Sequence, residues 1–249
     1  MKETQERELI EFLQKNKSAK IEEIAEALYI SPSTVRRRLK ALQTKGLVTR
    51  THGGALLEDT KPYLPTFSLR AHENRLEKKK MALLAVKLIK NGDVIFLDGS
   101  TSAYYVAEFL TQFENLKVVT NGIDTLSLLS EYNITAYSTG GRVSRENKAV
   151  LVGTHAERTI SNLHADVAFF SARSVTKKGE IYDCFEDEIP LRQAMLENAS
   201  KRVFLCDSTK FGKTSPYKLC SVNAVEYIIS DQPMTEYFDA PITPRVLHP

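Results

Sequence analysis

The feature that most constrains this 249-residue chain is residues 31–55, which hold six Lys and Arg residues and neither Asp nor Glu. Within this stretch Val35, Leu39 and Leu42 recur at the spacing of one helix face, which predicts an amphipathic helix. The opposite face of that helix is cationic. A short helix whose outer face carries only positive charge indicates a surface for a polyanion.

The boundaries of this helix and the segment after it are also readable. Either Ser31 or Ser33 can cap the helix, and Pro32 suits its first turn, where a missing N–H costs nothing. Residues 47–51 then alternate like a strand, and Gly53-Gly54 turns the chain back. A cationic helix followed by a basic hairpin is typical of proteins that enter a DNA groove and hold the adjoining backbone.

Two amphipathic segments precede the cationic helix, at residues 4–15 and 20–28, and the link at 29–32 has the length of a helix-turn-helix turn. Three helices and a hairpin predict a winged helix-turn-helix domain over residues 1–58, with residues 20–39 as its reading unit. Helical spacing places several polar side chains on or beside the outer face of the third helix, and the hairpin adds one more. The predicted DNA-facing residues are Ser33, Thr34, Arg36, Arg37, Lys40 and Arg50.

The residues STVRRRLKAL (33–42) and RTHGGA (50–55), with Arg7 upstream, resemble the DeoR-type transcriptional regulators. That family usually carries Ile-Arg-Arg-Asp-Leu in the recognition helix and Arg-x-His-Gly-Gly-Ala in the wing, and the match covers residues 3–58. The resemblance implies that His52 lies near DNA; the alternative is a simple turn residue. Arg38 stands where the family usually has Asp, which leaves a phosphate contact or a solvated side chain as alternatives.

Residues 59–75, with Pro62 and Pro65, predict an extended linker. The lysines at 78–80 are interpreted as a solvated helix face, with a DNA contact as the weaker alternative. Short apolar strands then alternate with helices, which predicts an α/β domain over residues 76–232 with a mostly parallel sheet covered on both faces. A Pro-rich tail at 233–249 is interpreted as a surface strap. The predicted strands are 94–98, 117–120, 135–138, 165–170, 202–206 and 225–230.

Polar residues cluster just after these strands. Residues 98–102 (DGSTS) combine a turn, three hydroxyls and a helix start, which together can cradle an anion. Residues 120–122, 140–142 and 207–210 follow other strands. Because ligands of open α/β sheets bind beyond the carboxyl ends of the strands, these motifs predict one cleft for a small phosphorylated ligand with hydroxyl groups. Taken singly, each motif is equally explained as a capped turn.

The order of these motifs resembles the sugar-sensing domain of DeoR-type regulators, a domain similar in fold to ribose-5-phosphate isomerase and the CoA transferases. Ser171-Ala172-Arg173 stands where the family usually has Gly, and Arg192 where Lys is common. Two alternatives stay open: Glu188 and Arg192 can form an ordinary i,i+4 pair, and Asp98 can cap the next helix. With Ser102 added from the motif, the residues that the resemblance assigns to the effector pocket are Asp98, Ser100, Thr101, Ser102, Thr120, Asn121, Arg142, Glu188, Arg192 and Lys210.

Composition narrows the class of protein. The formal net charge of +3 is too small to indicate nucleic-acid binding, so the local distribution of charge carries that argument. The sequence has no run of eighteen apolar residues and no signal-like start, and its three cysteines are far apart, which predicts a cytoplasmic protein without disulfides or a membrane segment. The histidine spacing indicates no metal site, and no motif predicts a cofactor.

The favoured interpretation is a cytoplasmic, non-enzymatic transcription regulator. It binds double-stranded operator DNA as a homo-oligomer and represses a carbohydrate operon until a phosphorylated sugar releases it. The alternative is a sugar-phosphate isomerase-like enzyme with an appended DNA-binding head. A protein-interaction module that uses the winged head is the third reading, which the acid-free cationic face disfavours.

Overall fold

A computed structural model of the chain describes residues 6, 8–10, 12, 13, 16, 18–44, 47–51, 53–57 and 66–249. The chain divides into two compact units, Met1–Leu69 and Arg70–Pro249, called here the DNA unit and the sensor unit. His52 and residues 58–65 of the predicted linker lie outside the described residues. No helix in the described part of the chain has the length and apolar character needed to cross a membrane.

The DNA unit contains the three predicted helices and the predicted hairpin. Helix α1 is represented by helical residues between positions 6 and 16. The other elements are α2 (Ile21–Ala27), α3 (Pro32–Thr44), β2 (Val48–Thr51), β3 (Gly54–Leu57) and a strand that the sequence did not predict, β1 (Ser18–Lys20). These strands form an antiparallel sheet in the order β1-β3-β2. The prediction of a helix-turn-helix domain with a wing is confirmed.

The start of α3 is fixed by one hydroxyl. Ser31 Oγ accepts a hydrogen bond from the backbone N–H of Thr34 at 3.2 Å, so Ser31, and not Ser33, satisfies one of the free donors of the first turn. From this start the predicted apolar face points inward, because Val35, Leu39 and Leu42 are fully buried against apolar residues of α1 and α2. The cap therefore sets which face of α3 remains outside.

Replacing Ser31 by alanine should lower the stability of the DNA unit by about 1 kcal/mol, because the Thr34 N–H loses its side-chain acceptor. Thermal unfolding followed by circular dichroism measures the effect. Ser33→Ala is the matched control, since it removes the same atom from the same turn without touching the Ser31–Thr34 bond. Equal shifts of the two melting temperatures would contradict the assignment of the cap.

The segment predicted to be an extended linker contains a helix, α4 (Phe67–His72), followed by α5 (Arg75–Ala85). The prediction of an extended chain is wrong for α4, whose six residues are too few to show a helical period. The interpretation of the lysine run as a solvated face is also wrong for Lys78, which is only 5% exposed. Lys80 is exposed, and Lys79 Nζ pairs with Glu108 at 2.7 Å.

The sensor unit is built on a seven-stranded sheet in the order β15-β14-β12-β9-β4-β5-β6, with every neighbouring pair parallel. The strands are β4 (Val94–Leu97), β5 (Lys117–Thr120), β6 (Ala136–Ser138), β9 (Ala165–Phe170), β12 (Ala199–Leu205), β14 (Tyr227–Ile229) and β15 (Arg245–Leu247). The described helices after α5 are α6 (Thr101–Ala107), α7 (Ile123–Glu131), α8 (Thr154–Ser161) and α9 (Ile189–Glu197).

Both faces of this sheet are covered. Along β4, Ile95 and Leu97 join a core with residues of α5, α6 and α7, whereas Phe96 joins a second core with residues of α8 and α9. This alternation follows from the two-residue period of a strand. The predicted α/β class, with helices on both faces of a mostly parallel sheet, is confirmed.

Three short pieces of sheet were not predicted. The tail interpreted as a surface strap contributes β15, which pairs with β14 and forms one edge of the sheet. An antiparallel sheet contains β10 (Ser174–Val175), β11 (Glu180–Asp183) and β13 (Tyr217–Ser221), and β7 (Arg142–Val143) pairs with β8 (Leu151–Val152). Strands of two to five residues are too short to show an alternating pattern in sequence.

Candidate functional site

The DNA unit carries an exposed cationic face on α3 and the wing. Ser33, Arg36, Arg37 and Lys40 are exposed on α3, and Arg50 is exposed on β2. Arg36 Nη2 lies 3.8 Å from Glu22 Oε1, with both side chains largely exposed, so this pair is easily exchanged for another partner. Most of the predicted DNA-facing residues are thus free to meet a polyanion.

Thr34 departs from this pattern. It is half-buried, and its hydroxyl lies 3.0 Å from Ser31 Oγ, within the cap of α3. Its first role in this structure is therefore to fix the start of the helix, with only part of its side chain presented outward.

Arg38 corrects both alternatives offered from the sequence. It is 6% exposed and lies on the inward side of α3 beside Leu39 and Leu42, so it is neither solvated nor placed to contact phosphate. Glu6, from the first helix, is also buried in this unit, at 7% exposure. Positions 38 and 6 thus put opposite charges into the interior of the DNA unit.

In the sensor unit, the loops that follow β4 and β5 touch. A Cβ built on Gly122 would lie 3.0 Å from Gly99 Cα, and a Cβ on Gly99 would lie 2.2 Å from Val150 Cγ1. Because β12, β9, β4 and β5 are consecutive parallel strands, their carboxyl ends lie at the same edge of the sheet. The predicted motifs at 98–102, 120–122 and 207–210 therefore share that edge, which we call the cleft.

Arg192 is at the centre of a buried ionic cluster beside the cleft. Its three guanidinium nitrogens lie 3.1 Å from Asp98 Oδ2, 2.6 Å from Asp183 Oδ2 and 2.7 Å from Glu188 Oε2. All four side chains are less than a tenth exposed. Burial opposes the charged guanidinium, but Asp183, Glu188 and Asp98 outweigh it and raise the pKa of Arg192; burial raises the pKa of Glu188. The ordinary helix pair considered from the sequence is thus part of a larger buried network.

Asp98 organises the loop after β4. Its Oδ1 accepts from the Ser100 N–H at 3.1 Å, and its Oδ2 accepts from the Ser171 N–H at 3.0 Å. The cap of α6 is Ser100, whose Oγ accepts from the Ala103 N–H. The alternative that Asp98 caps the helix is therefore wrong, and its carboxylate instead joins this loop to the end of β9 and to Arg192.

A second, more accessible group surrounds Lys210. Its Nζ lies 3.5 Å from Asp207 Oδ2 and donates a short hydrogen bond to Ser171 Oγ. Burial raises the pKa of Asp207, but Lys210 and the hydroxyl of Thr209 outweigh it and lower that pKa. Burial and then the neighbouring Lys210 ammonium lower the pKa of Lys78 to about 8. Two ammonium groups beside one carboxylate make this end of the cleft favourable for an anion.

Three buried polar atoms near the touching loops have no hydrogen-bond partner among the described residues: Ser102 Oγ in α6, Asn121 Oδ1 after β5, and Thr125 Oγ1 in α7. A buried polar atom without a partner costs about 1–3 kcal/mol. Such atoms are natural partners for the hydroxyl groups of a ligand.

The remaining predicted pocket residues differ in their surroundings. Thr101 is buried in the first turn of α6, and Thr120 Oγ1 accepts from the Gly122 N–H at 3.0 Å, which holds the loop after β5. Arg142 is exposed on β7 and lies 3.2 Å from Asp187. The structure does not bring Arg142 into the buried cluster or the Lys210 group.

Sequence reasoning missed several residues that the structure places at these groups. Asp183 ends a strand that was not recognised, Lys78 was assigned to a solvated face, and Asn147 lies in a loop without a motif. The signal for Asp183 was its position after the alternating residues EIY; Asn147 had none.

Comparison with protein families gives the class of this protein. Residues 6–61 match the DeoR-like helix-turn-helix domain, and residues 73–232 match the DeoR C terminal sensor domain. The chain therefore belongs to the DeoR family of transcriptional regulators, which confirms the resemblance drawn from its motifs.

Its relatives are regulators that match along almost their whole length. It is 33% identical to the HTH-type transcriptional regulator GolR of Listeria innocua (90% of this chain, 88% of the relative). It is 31% identical to the L-fucose operon activator of Haemophilus influenzae (92% and 91%) and 27% identical to the glycerol-3-phosphate regulon repressor of Escherichia coli (94% and 92%).

Among solved structures, ribose 5-phosphate isomerase A of Methanocaldococcus jannaschii is similar, with a TM-score of 0.42, 20% identity and coverage of 56% of this chain and 55% of that one. Translation initiation factor eIF-2B of Pyrococcus horikoshii has a TM-score of 0.45 and 14% identity, with coverage of 90% and 81%.

Proposed function

We propose that this chain represses a carbohydrate operon and that a phosphorylated sugar, bound in the cleft of the sensor unit, releases it from operator DNA. Regulators named for sugar operons are among its relatives, and they include an activator and a repressor. Repression is proposed here because release by an effector requires only that the effector bind the DNA-free form more tightly.

The observation that carries the effector proposal is the polarity of the cleft. The Lys210 and Lys78 ammonium groups share one carboxylate at one end, which favours a phosphate. Unpartnered buried oxygens of Ser102, Asn121 and Thr125 lie near the touching loops, which favours hydroxyl groups. A ligand with an anionic end and a polyhydroxyl body satisfies both.

The test combines two measurements on the full chain. A duplex is first selected by the protein from a random-sequence pool. The protein is then screened by thermal shift with D-ribose 5-phosphate, D-fructose 6-phosphate, D-glucose 6-phosphate and sn-glycerol 3-phosphate, because a ligand that binds the native state raises the melting temperature by mass action. The proposal expects at least one compound to stabilise the protein and to displace the selected duplex. Failure of all four to stabilise it would contradict a cleft for sugar phosphates.

Lys210→Met should weaken binding of the stabilising sugar phosphate by about tenfold or more, since the phosphate loses a charge-assisted partner of about 1.5–3 kcal/mol. Binding of the selected duplex without effector should stay within about twofold. Lys213→Met, which removes the same charge from an exposed position of the same loop, is the control and should bind the ligand normally. Isothermal titration calorimetry gives the affinities, and equal losses in both variants would contradict the role of Lys210.

We further propose that the cleft binds its sugar phosphate without converting it. Asp98 and Glu188 are both held by Arg192, and Asp207 is held by Lys210 and Thr209. Each carboxylate that an isomerase would need as a proton acceptor thus already has a charged or hydrogen-bonded partner. NMR of pentose and hexose phosphates incubated with the protein tests this: interconversion would support the isomerase alternative.

A further inference from the structure

The first five residues of the sensor unit, Arg70 to Asn74, are the part of that unit closest in sequence to the DNA unit. They include the C-terminal half of α4 and the turn into α5. We call these five residues the tether. The contacts that hold the tether to the rest of the sensor unit lead to the cleft.

Three carbonyl groups of the tether are held by side chains of the sensor unit. Lys78 Nζ donates to the Arg70 carbonyl at 2.5 Å and to the Glu73 carbonyl at 2.7 Å. Tyr105 Oη donates to the Ala71 carbonyl at 2.8 Å. Carbonyls at the end of a helix lack intrahelical donors, and a cation there is favourable. The end of α4 is therefore capped from the sensor unit.

Tyr105 links this cap to the cleft. It is 3% exposed and lies on α6, whose first turn holds Thr101 and Ser102. A ligand that draws on the hydroxyls of that turn acts on the same seven-residue helix that holds the Ala71 carbonyl.

The side chains of the tether make a second set of contacts. Arg70 Nη2 donates to Asn147 Oδ1 at 3.3 Å, and Asn147 Nδ2 donates to Glu188 Oε1 at 2.8 Å. Glu188 in turn pairs with Arg192, the centre of the buried cluster. The buried Asn147 amide thus uses its acceptor towards the tether and its donor towards the cluster.

Asn74 closes the tether at the other end of the cleft. Its Nδ2 lies 3.4 Å from Asp207 Oδ1 and 3.5 Å from Thr209 Oγ1, and Asp207 also pairs with Lys210. Asn74 adopts φ of +50°, a left-handed conformation that Asn tolerates better than most residues. The turn that carries it is therefore defined by its backbone as well as by these weak contacts.

We propose that the tether transmits occupancy of the cleft to the DNA unit, with Tyr105 and Asn147 as its positioning residues. This inference rests on the proposed function, because it assigns a regulatory role to contacts around the same effector cleft. A ligand that engages Glu188, Lys210 or the first turn of α6 changes the partners on which the tether depends. The chain then continues without a break from the tether into the rest of α4, so a change in these contacts alters the segment that leads to the DNA unit.

The measurable quantity is the coupling ratio: the effector's dissociation constant on operator-bound protein divided by its dissociation constant on DNA-free protein. Full-length protein is used, with the duplex and the sugar phosphate identified in the preceding screen. Tyr105→Phe removes the donor to Ala71 with almost no change of shape, and Asn147→Ala removes the bridge between Arg70 and Glu188. Tyr137→Phe, on the exposed edge strand β6, removes the same atom as Tyr105→Phe and is the control.

We expect Tyr105→Phe and Asn147→Ala each to bring the coupling ratio about three- to tenfold closer to one, the worth of a single hydrogen bond. Tyr137→Phe should leave it unchanged. A ratio that stays at the wild-type value in both tether variants, or a variant that weakens effector binding equally in the two states, would overturn the inference. If Asn147→Ala does not fold, Tyr105→Phe alone decides.

The failure of this inference is distinct from failure of the proposed function. If no sugar phosphate binds wild-type protein, the proposed function fails and the inference fails with it. If a sugar phosphate binds and releases wild-type protein while Tyr105→Phe behaves as wild type in every titration, the effector function stands and the tether has no regulatory role.

Discussion

Replacing Arg192 by methionine should lower the free energy of unfolding of the sensor unit by about 3–5 kcal/mol, the cost of removing one partner from a buried ionic group. Methionine retains much of the length of the arginine side chain but none of its donors. The substitution leaves Asp98, Asp183 and Glu188 with no guanidinium between them, and all three are nearly inaccessible to water. Unpaired carboxylates in that position are unfavourable unless they bind protons.

The pH dependence of this variant gives a second readout. Without Arg192, the folded-state pKa values of the three carboxylates should rise further above their unfolded values. Groups with raised folded pKa values support the folded state at low pH and lose that contribution as the pH rises through the folded pKa. The deficit relative to wild type should therefore be larger at pH 8 than at pH 5.

Urea unfolding followed by circular dichroism measures the effect, with Arg202→Met as the matched control. Arg202 pairs with Glu226 at 2.5 Å, but both side chains are more than a third exposed, so its loss should cost under about 1 kcal/mol. Arg192→Lys should fall between wild type and Arg192→Met, since one ammonium cannot reach three carboxylates as a planar guanidinium does. A deficit in Arg192→Met as small as that in the control would contradict the importance of the cluster.

Replacing Arg37 by alanine should weaken binding of the selected duplex by about 1–3 kcal/mol, between about fivefold and 150-fold, and should broaden the sequence preference at one base position. Arg37 is exposed and lies opposite the buried stripe of Val35, Leu39 and Leu42. In a helix-turn-helix protein this face of the second helix of the motif enters the major groove. An Arg there can donate two hydrogen bonds to one guanine.

Fluorescence anisotropy titrations over a range of salt concentrations separate a base contact from a phosphate contact. Loss of a base contact discriminates among sequences, whereas loss of a phosphate contact weakens all duplexes alike and reduces the salt slope. Arg158→Ala, which removes the same charge from an exposed position on α8, controls for net charge. Unchanged duplex binding by Arg37→Ala would mean that a different face of α3 meets DNA.

The sequence was informative wherever a pattern repeats over several turns or strands. The stripe of Val35, Leu39 and Leu42 predicted both α3 and its buried face, because three residues at helical spacing define a direction. The apolar strands between residues 94 and 230 predicted the parallel sheet for the same reason. Motifs placed directly after those strands were found at one edge of the sheet, since parallel strands bring their carboxyl ends together.

The sequence was uninformative where a role depends on partners distant in the chain. Arg192 is separated from Asp98 by 94 residues, and local spacing showed only its neighbour Glu188. Lys78 belonged to a lysine run typical of a solvated face, yet carbonyls of a preceding turn hold it inside. Arg38 was misassigned for a similar reason: a cationic residue beside an apolar stripe is compatible with either side of the helix until the packing is known.

The contact between Gly99 and Gly122 limits how descendants of this chain can acquire a new response. Any side chain at either position would collide with the opposite loop or with Val150, so those two sites are closed to mutation. Altered ligand preference must therefore evolve through positions around them, such as Asn121, Thr125 and Ser171, where an exchange of polar groups leaves the backbone in place.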